Sequence, residues 1–232
     1  MRAEPGTDTS TWRSRAVSRS LDPARQAAEE RVQRFLDAAL ELLSSPAGDD
    51  FTVQNVVDRS GLSLRSFYLH FAGKHELMLA LFEEGIRASA EHLRTEIEPI
   101  SDPLDRLQRF TTEYYRMCRS GDVQSDRPLP VRSVGNFAHT LMFDHPHEAS
   151  AAFAPLVLLL RQVLEDAATA GAIRSDLDAE QVAGVILQAI MFNAFATTIT
   201  GTRTDELPDR GDLLWALLIG GLAGDPGGPA DP

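Results

Sequence analysis

The chain has 232 residues, 43% of them hydrophobic, which is enough for a sizeable buried core in one domain or two. Its one cysteine, Cys118, excludes an internal disulfide and a cysteine-built zinc cage, and the longest apolar stretches fall short of the about 20 residues that span a bilayer. The net charge of −12 is unevenly placed: through Met78 ten basic residues face eleven acidic ones, and beyond it twelve face twenty-three, so an acidic second part leaves any contact with nucleic acid to the first.

Residues 1–21 mix Ser, Thr, Arg, Pro and Gly without hydrophobic periodicity and predict a disordered arm. Its Arg13, Arg15 and Arg19 suit a phosphate backbone or a minor groove. The arm also lacks the apolar run of a secretion signal, which with the cysteine usage predicts a cytoplasmic protein. Asp22-Pro23 then opens a helix, with Asp as cap and Pro in the first position. Val32, Phe35, Leu36, Ala39, Leu40 and Leu43 form its buried stripe, and Ser44-Ser45-Pro46 ends it.

Thr52 caps a second, short helix in which Val53, Val56 and Val57 make the apolar stripe. Gly61 supplies the turn and Ser63 caps a third helix, Leu64–His70. In that helix Phe67 faces inward, while Leu64, Arg65, Ser66, Tyr68 and His70 remain outside. Two helices this short cannot bury a core alone, so the longer helix before them completes it. This is the plan of a helix-turn-helix, whose second helix enters the DNA major groove.

A long helix is expected from Gly73 to about Leu93, opening with Lys74, the only lysine. Every later periodic segment is also helical: 103–120, 131–143, 148–170, 178–200 and 209–223. A flexible Gly/Pro tail follows over 224–232. With no alternating strand pattern the fold class is all-α. The pattern predicts a helix-turn-helix domain over 22–72 and a larger helical domain over 73–223, the latter expected to bind an effector and dimerise for the reasons given below.

Thr52-Val53, Val56-Val57, Gly61-Leu62-Ser63, Tyr68-Leu69-His70-Phe71 and Lys74 stand at fixed spacing. Over roughly 32–85 the chain thereby resembles the TetR family of bacterial transcriptional regulators. The resemblance implies phosphate contacts from Thr52, Ser63, Tyr68, His70 and Lys74, and base reading by Leu64, Arg65, Ser66 and Leu69. Arg65 stands where the family usually has a small residue, Gly73 where a Ser cap is common, and His75 where an acidic residue is frequent. The resemblance also implies a homodimer on a palindromic double-stranded operator, its reading heads about 34–36 Å or a comparable distance apart. It implies a repressor, and the Phe and Met residues of the second part point to a small, mostly apolar effector that releases it.

The residues point to the dimer independently, because 178–200 and 209–223 are apolar on too many sides for solvent-covered helices. Val182, Val185, Ile186, Ala189, Leu214, Trp215 and Leu218 are the expected interface. Phe110, Tyr114, Met117, Phe137, His139, Leu141, Met142, Phe153, Leu156, Met191, Phe192 and Phe195 are the expected effector pocket, since Phe and Met line apolar cavities well. His139, Asp144, His145, His147 and Glu148 are the one place to ask about a metal. They lack a helical i, i+4 His pair and read as a helix-capping segment, so neither metal, cofactor nor enzyme is expected. The alternative function is a helical scaffold that binds another protein without reading DNA.

Overall fold

A computed structural model of the chain describes residues 9–45, 50–120, 131–199 and 211–222. Among the described residues every long element is an α-helix: α1 (Thr9–Leu43), α2 (Val53–Ser60), α3 (Leu64–His70), α4 (Lys74–Ile97), α5 (Pro103–Ser120), α6 (Val131–Asp144), α7 (Pro146–Thr169), α8 (Ala179–Ile199) and α9 (Gly211–Leu222). The chain forms two compact units, Met1–Leu77 and Met78–Pro232.

Helix α1 departs from the sequence expectation. It starts at Thr9 and runs through Pro23, where a disordered arm over 1–21 and a capped start at Asp22 were expected. A proline ring holds φ near the helical value, so Pro23 removes one amide donor without obliging the helix to stop. Residues 1–8 and the tail over 224–232 lie outside the described residues.

In the first unit Phe35, Leu36, Ala38, Ala39 and Leu43 of α1 bury against Val56 and Val57 of α2, Phe67 of α3 and Phe71. The Phe35 ring meets Phe67 edge-on at 5.4 Å and Phe71 at 6.2 Å. Such pairs add about 0.5–1.5 kcal/mol each beyond their buried area. Helix α2 opens on a reciprocal cap: the Asn55 amide donates to Thr52 Oγ1 at 3.3 Å, and the Thr52 amide donates to Asn55 Oδ1 at 2.8 Å. It ends at Gly61, whose φ of 65° suits glycine. Arg34 Nη2 donates to the Ser60 carbonyl at 2.6 Å, tying α1 to that turn. Ser63 Oγ then accepts from the Ser66 amide at 3.1 Å and starts α3.

In the second unit α5 is central, with Leu107, Phe110, Tyr114, Tyr115 and Met117 buried among Leu156, Leu160 and Val163 of α7 and Ile186, Leu187 and Ile190 of α8. The expected starts recur: Asp102 Oδ1 accepts from the amides of Leu104 and Asp105, both at 2.9 Å, and Asp178 Oδ1 accepts from Gln181 at 2.9 Å. Arg106 donates twice to the Ile100 carbonyl and reaches Asp166 Oδ2 at 3.2 Å, pinning the α4–α5 turn to α7. No helix among the described residues is long and apolar enough to cross a membrane.

Candidate nucleic-acid interface and effector cavity

Helix α3 has two turns and one buried side chain. Phe67 anchors it at 0% exposure, while Leu64, Tyr68 and Leu69 stand 43%, 57% and 76% exposed. Large apolar side chains held this far out on a rigid element mark a contact surface. Arg65, Ser66, Tyr68 and Leu69 line a cleft of about 600 Å³ together with Ser63 and Arg31. Arg31 belongs to α1, and no local motif marks it; only the packing of α1 against the two short helices brings it here. Two guanidinium groups, two serine hydroxyls and a phenol give the cleft positive charge and hydrogen-bond donors, the chemistry that holds phosphate oxygens.

Three of the expected phosphate ligands are differently placed. Thr52 Oγ1 donates to Asn55 Oδ1 at 2.8 Å and so completes its own cap. Lys74 Nζ donates to the Phe51 carbonyl at 2.7 Å and lies 4.1 Å above the Phe51 ring. That ammonium fastens the start of α4 to Phe51, two residues ahead of α2, with both a charge-assisted hydrogen bond and a cation–π contact. His70 is half-buried, and its Nε2 is enclosed without a hydrogen-bond partner. Glu76 accepts from the Ala72 amide at 2.5 Å, supplying the acidic group that Gly73 and His75 do not.

In the second unit a cavity of about 390 Å³ opens between the end of α6, the first half of α7 and the middle of α8. Met142, Phe153, Met191 and Phe192 line it as the sequence suggested, joined by Phe143, Ser150, Val157, Gly184 and Gln188 among others. Phe110, Tyr114, Met117, Leu141 and Leu156 do not reach it; they are core, each 5% exposed or less. Phe137 packs on Phe82 at 6.0 Å, and His139 is exposed and lies 4.7 Å from the Phe143 ring. The Phe195 side chain lies outside the described residues. Helical periodicity tells which residues point inward but not whether the interior space is already filled. Hence the expected pocket was largely core.

The expected dimer residues divide in the same way. Ile186 is 3% exposed inside its own unit, and Val182, Leu214, Trp215 and Leu218 pack against that core. Val185 is 65% exposed and Ala189 is also exposed, while on α9 the outward residues are Leu213 and Leu217, at 60% and 69%. The free face of α9 is thus one position out of register with the expectation, because Leu214 and Leu218 are claimed by their own core.

Two polar groupings have no motif in the sequence. Glu113 of α5 accepts from Arg116 Nη2 at 2.6 Å and Nε at 3.1 Å, and lies 2.9 Å from His92 Nε2 of α4. Burial raises the Glu113 carboxyl, but these hydrogen bonds outweigh it and leave the group below its ordinary value. One turn along α5, burial pushes the Cys118 thiol up to about 12, against a hydrogen bond with Tyr114 that acts the other way. His145 takes the cap position before Pro146, with its Nδ1 3.6 Å from Glu148 Oε1, in keeping with a helix-start segment.

A two-turn recognition helix, capped at its start and presented by a compact aromatic core ahead of a larger helical unit, defines a helix-turn-helix DNA-binding regulator. Residues 35–81 match the family model for bacterial regulatory proteins of the tetR family. Over that segment, which holds the two short helices and the start of α4, the chain is similar to the tetR-family regulators. No curated protein sequence matches it significantly. Among solved structures, the fatty acid degradation regulator FadR of Bacillus halodurans is 15% identical, covering 83% of this chain and 96% of its own, at a TM-score of 0.64. Thermus thermophilus FadR, a transcriptional repressor solved with lauroyl-CoA, is 18% identical over 86% of this chain and all of its own (100%), at 0.62. GusR of Salmonella enterica is 20% identical over 83% of this chain and 95% of its own, at 0.60. At such identities the likeness is one of fold.

Proposed function

We propose that the protein is a cytoplasmic homodimeric repressor that binds a palindromic operator and is released by a small, mostly apolar effector. The observation that carries this reading is the outward face of α3, where Leu64, Arg65, Tyr68 and Leu69 project from a helix anchored by the fully buried Phe67. Arg65 reads guanine through O6 and N7, worth about 1–3 kcal/mol against the wrong base, and Leu64 or Leu69 meets a thymine methyl. Ser63, Ser66, Tyr68 and Arg31 line the same cleft and hold phosphates, which sets register. Thr52 and Lys74 contribute by holding the unit rigid, and through backbone amides at the helix starts.

A second copy of the chain covers the outer faces of α8 and α9, where Val185, Ala189, Leu213 and Leu217 are exposed. The pairing supplies two reading heads to the two half-sites of an inverted repeat. The effector occupies the cavity between α6, α7 and α8 and biases α4, the helix that runs on from the recognition unit, toward a state that fits the operator less well. Couplings of this kind amount to about 1–3 kcal/mol.

The test is to incubate the purified full chain with fragments of genomic DNA and sequence what it retains. An inverted repeat, bound with an affinity that falls steeply with salt, is the expected result. Retention without sequence preference, or none at all, favours a protein-binding scaffold instead.

A further inference from the structure

The cavity of about 390 Å³ has no charged side chain among its described lining residues. Its polar groups are the exposed Ser150 and Gln188; the rest of the wall is apolar, with Phe153, Val157, Met191 and Phe192 its larger faces. The surrounding sequence sharpens this. Residues 142–157 and 184–192, which contain every lining residue, hold no Lys or Arg but do hold Asp144 and Glu148, and the nearest guanidinium in sequence, Arg161, is paired with Glu165 and Glu180. An anionic head group seated here meets no cation on the wall and like charge beside it, which disfavours it against an uncharged one.

Gly184 adds an independent observation. A Cβ built at that position meets nothing within 4 Å, so the backbone of α8 borders open space there. Glycine inside a helix is disfavoured relative to larger residues, and here its absent side chain is part of the cavity.

We propose that this cavity takes an uncharged ligand with an apolar body and a single hydrogen-bonding group, seated against Ser150 and Gln188, and that it rejects carboxylates and acyl-CoA thioesters. The inference rests on the effector reading above and narrows it. It separates this chain from Thermus thermophilus FadR, solved with lauroyl-CoA.

Three probes share one chain length and differ in head group: n-decanol, decanoate and decanoyl-CoA. Calorimetry on the full-length protein is expected to give n-decanol at least tenfold tighter binding than either anion. Gly184→Leu, which fills the open space, is expected to weaken n-decanol at least tenfold. Gln188→Lys, at an exposed position that tolerates the change, is expected to bring decanoate up to or above n-decanol, which keeps the proposal testable should Gly184→Leu fail to fold. Equal or tighter binding of decanoate or decanoyl-CoA by the parent protein overturns the proposal and leaves the effector reading standing. Binding of none of the three overturns the proposal, whereas preferential n-decanol binding with operator affinity unchanged supports it and overturns the effector reading alone.

Discussion

His92 Nε2 of α4 lies 2.9 Å from Glu113 Oε1 of α5, a carboxylate only 5% exposed. Arg116, nearly half-exposed, closes the group from the solvent side. Buried charges of this kind are weak sources of stability but strong sources of geometry, since removing one partner strands the other. The three side chains therefore fix where α4 sits on α5.

The pH dependence follows from the direction of the Glu113 shift. Its carboxyl ionises more readily in the folded chain than the ordinary 4.5, so its stabilisation is fully present above about that pH. It is lost as pH falls through the lower folded value. Glu113→Gln is expected to cost about 1–3 kcal/mol at pH 7, with the cost shrinking at pH 3. Urea denaturation of parent and variant at the two pH values checks this.

Cys118 is expected to be inert. A thiol pushed up to about 12 carries almost no thiolate at neutral pH, and thiolate is the reactive form. A chromogenic disulfide reagent at pH 7.5 should leave the native protein unlabelled over an hour and label one thiol per chain in guanidinium. Stoichiometric labelling of the native state contradicts the placement of this half-buried thiol beside Tyr114.

Lys74 and Arg31 should respond in opposite ways. Lys74→Ala removes the bond to the Phe51 carbonyl and the contact with its ring, so thermal stability of the recognition unit should drop by about 1–3 kcal/mol. Arg31→Ala removes an exposed guanidinium from the cleft, so stability should stay within about 0.5 kcal/mol. Its operator affinity should weaken, with the slope of log K against log salt falling by about 1. Salt titrations of both variants separate the two roles.

The outer faces of α8 and α9 give a further check. Val185→Glu with Leu217→Glu places a charge on each exposed apolar face while leaving the core of the unit untouched. Sedimentation should show the parent as a dimer and the double variant as a folded monomer that binds a palindromic operator far more weakly.

Local chemistry made most of the first unit legible. Thr52, Gly61 and Ser63 sit where their caps were read, and the Phe67 anchor follows from helical spacing. What failed was tertiary. Pro23 reads as a helix start, yet α1 passes through it, since a lost amide bond and a clash with the carbonyl four residues back favour a kink over an end. Arg31 joins the cleft through packing, and the cavity lies beside Gly184 and Ser150, residues with no signature of their own. The phosphate contact of Lys74 is what the resemblance implies, and nothing in the pattern shows that the Phe51 carbonyl is within its reach.

The outer face of α3 is proposed to read DNA. The most direct measurement compares the parent with an Arg65→Ala, Leu69→Ala double variant on two duplexes, the selected operator and a scrambled sequence of the same length. Both side chains are exposed, so the melting temperature should hold. The parent should prefer the operator strongly, and the variant should lose at least tenfold of that preference while still binding both duplexes at low salt. A variant that folds normally and keeps the parent's full preference contradicts that role.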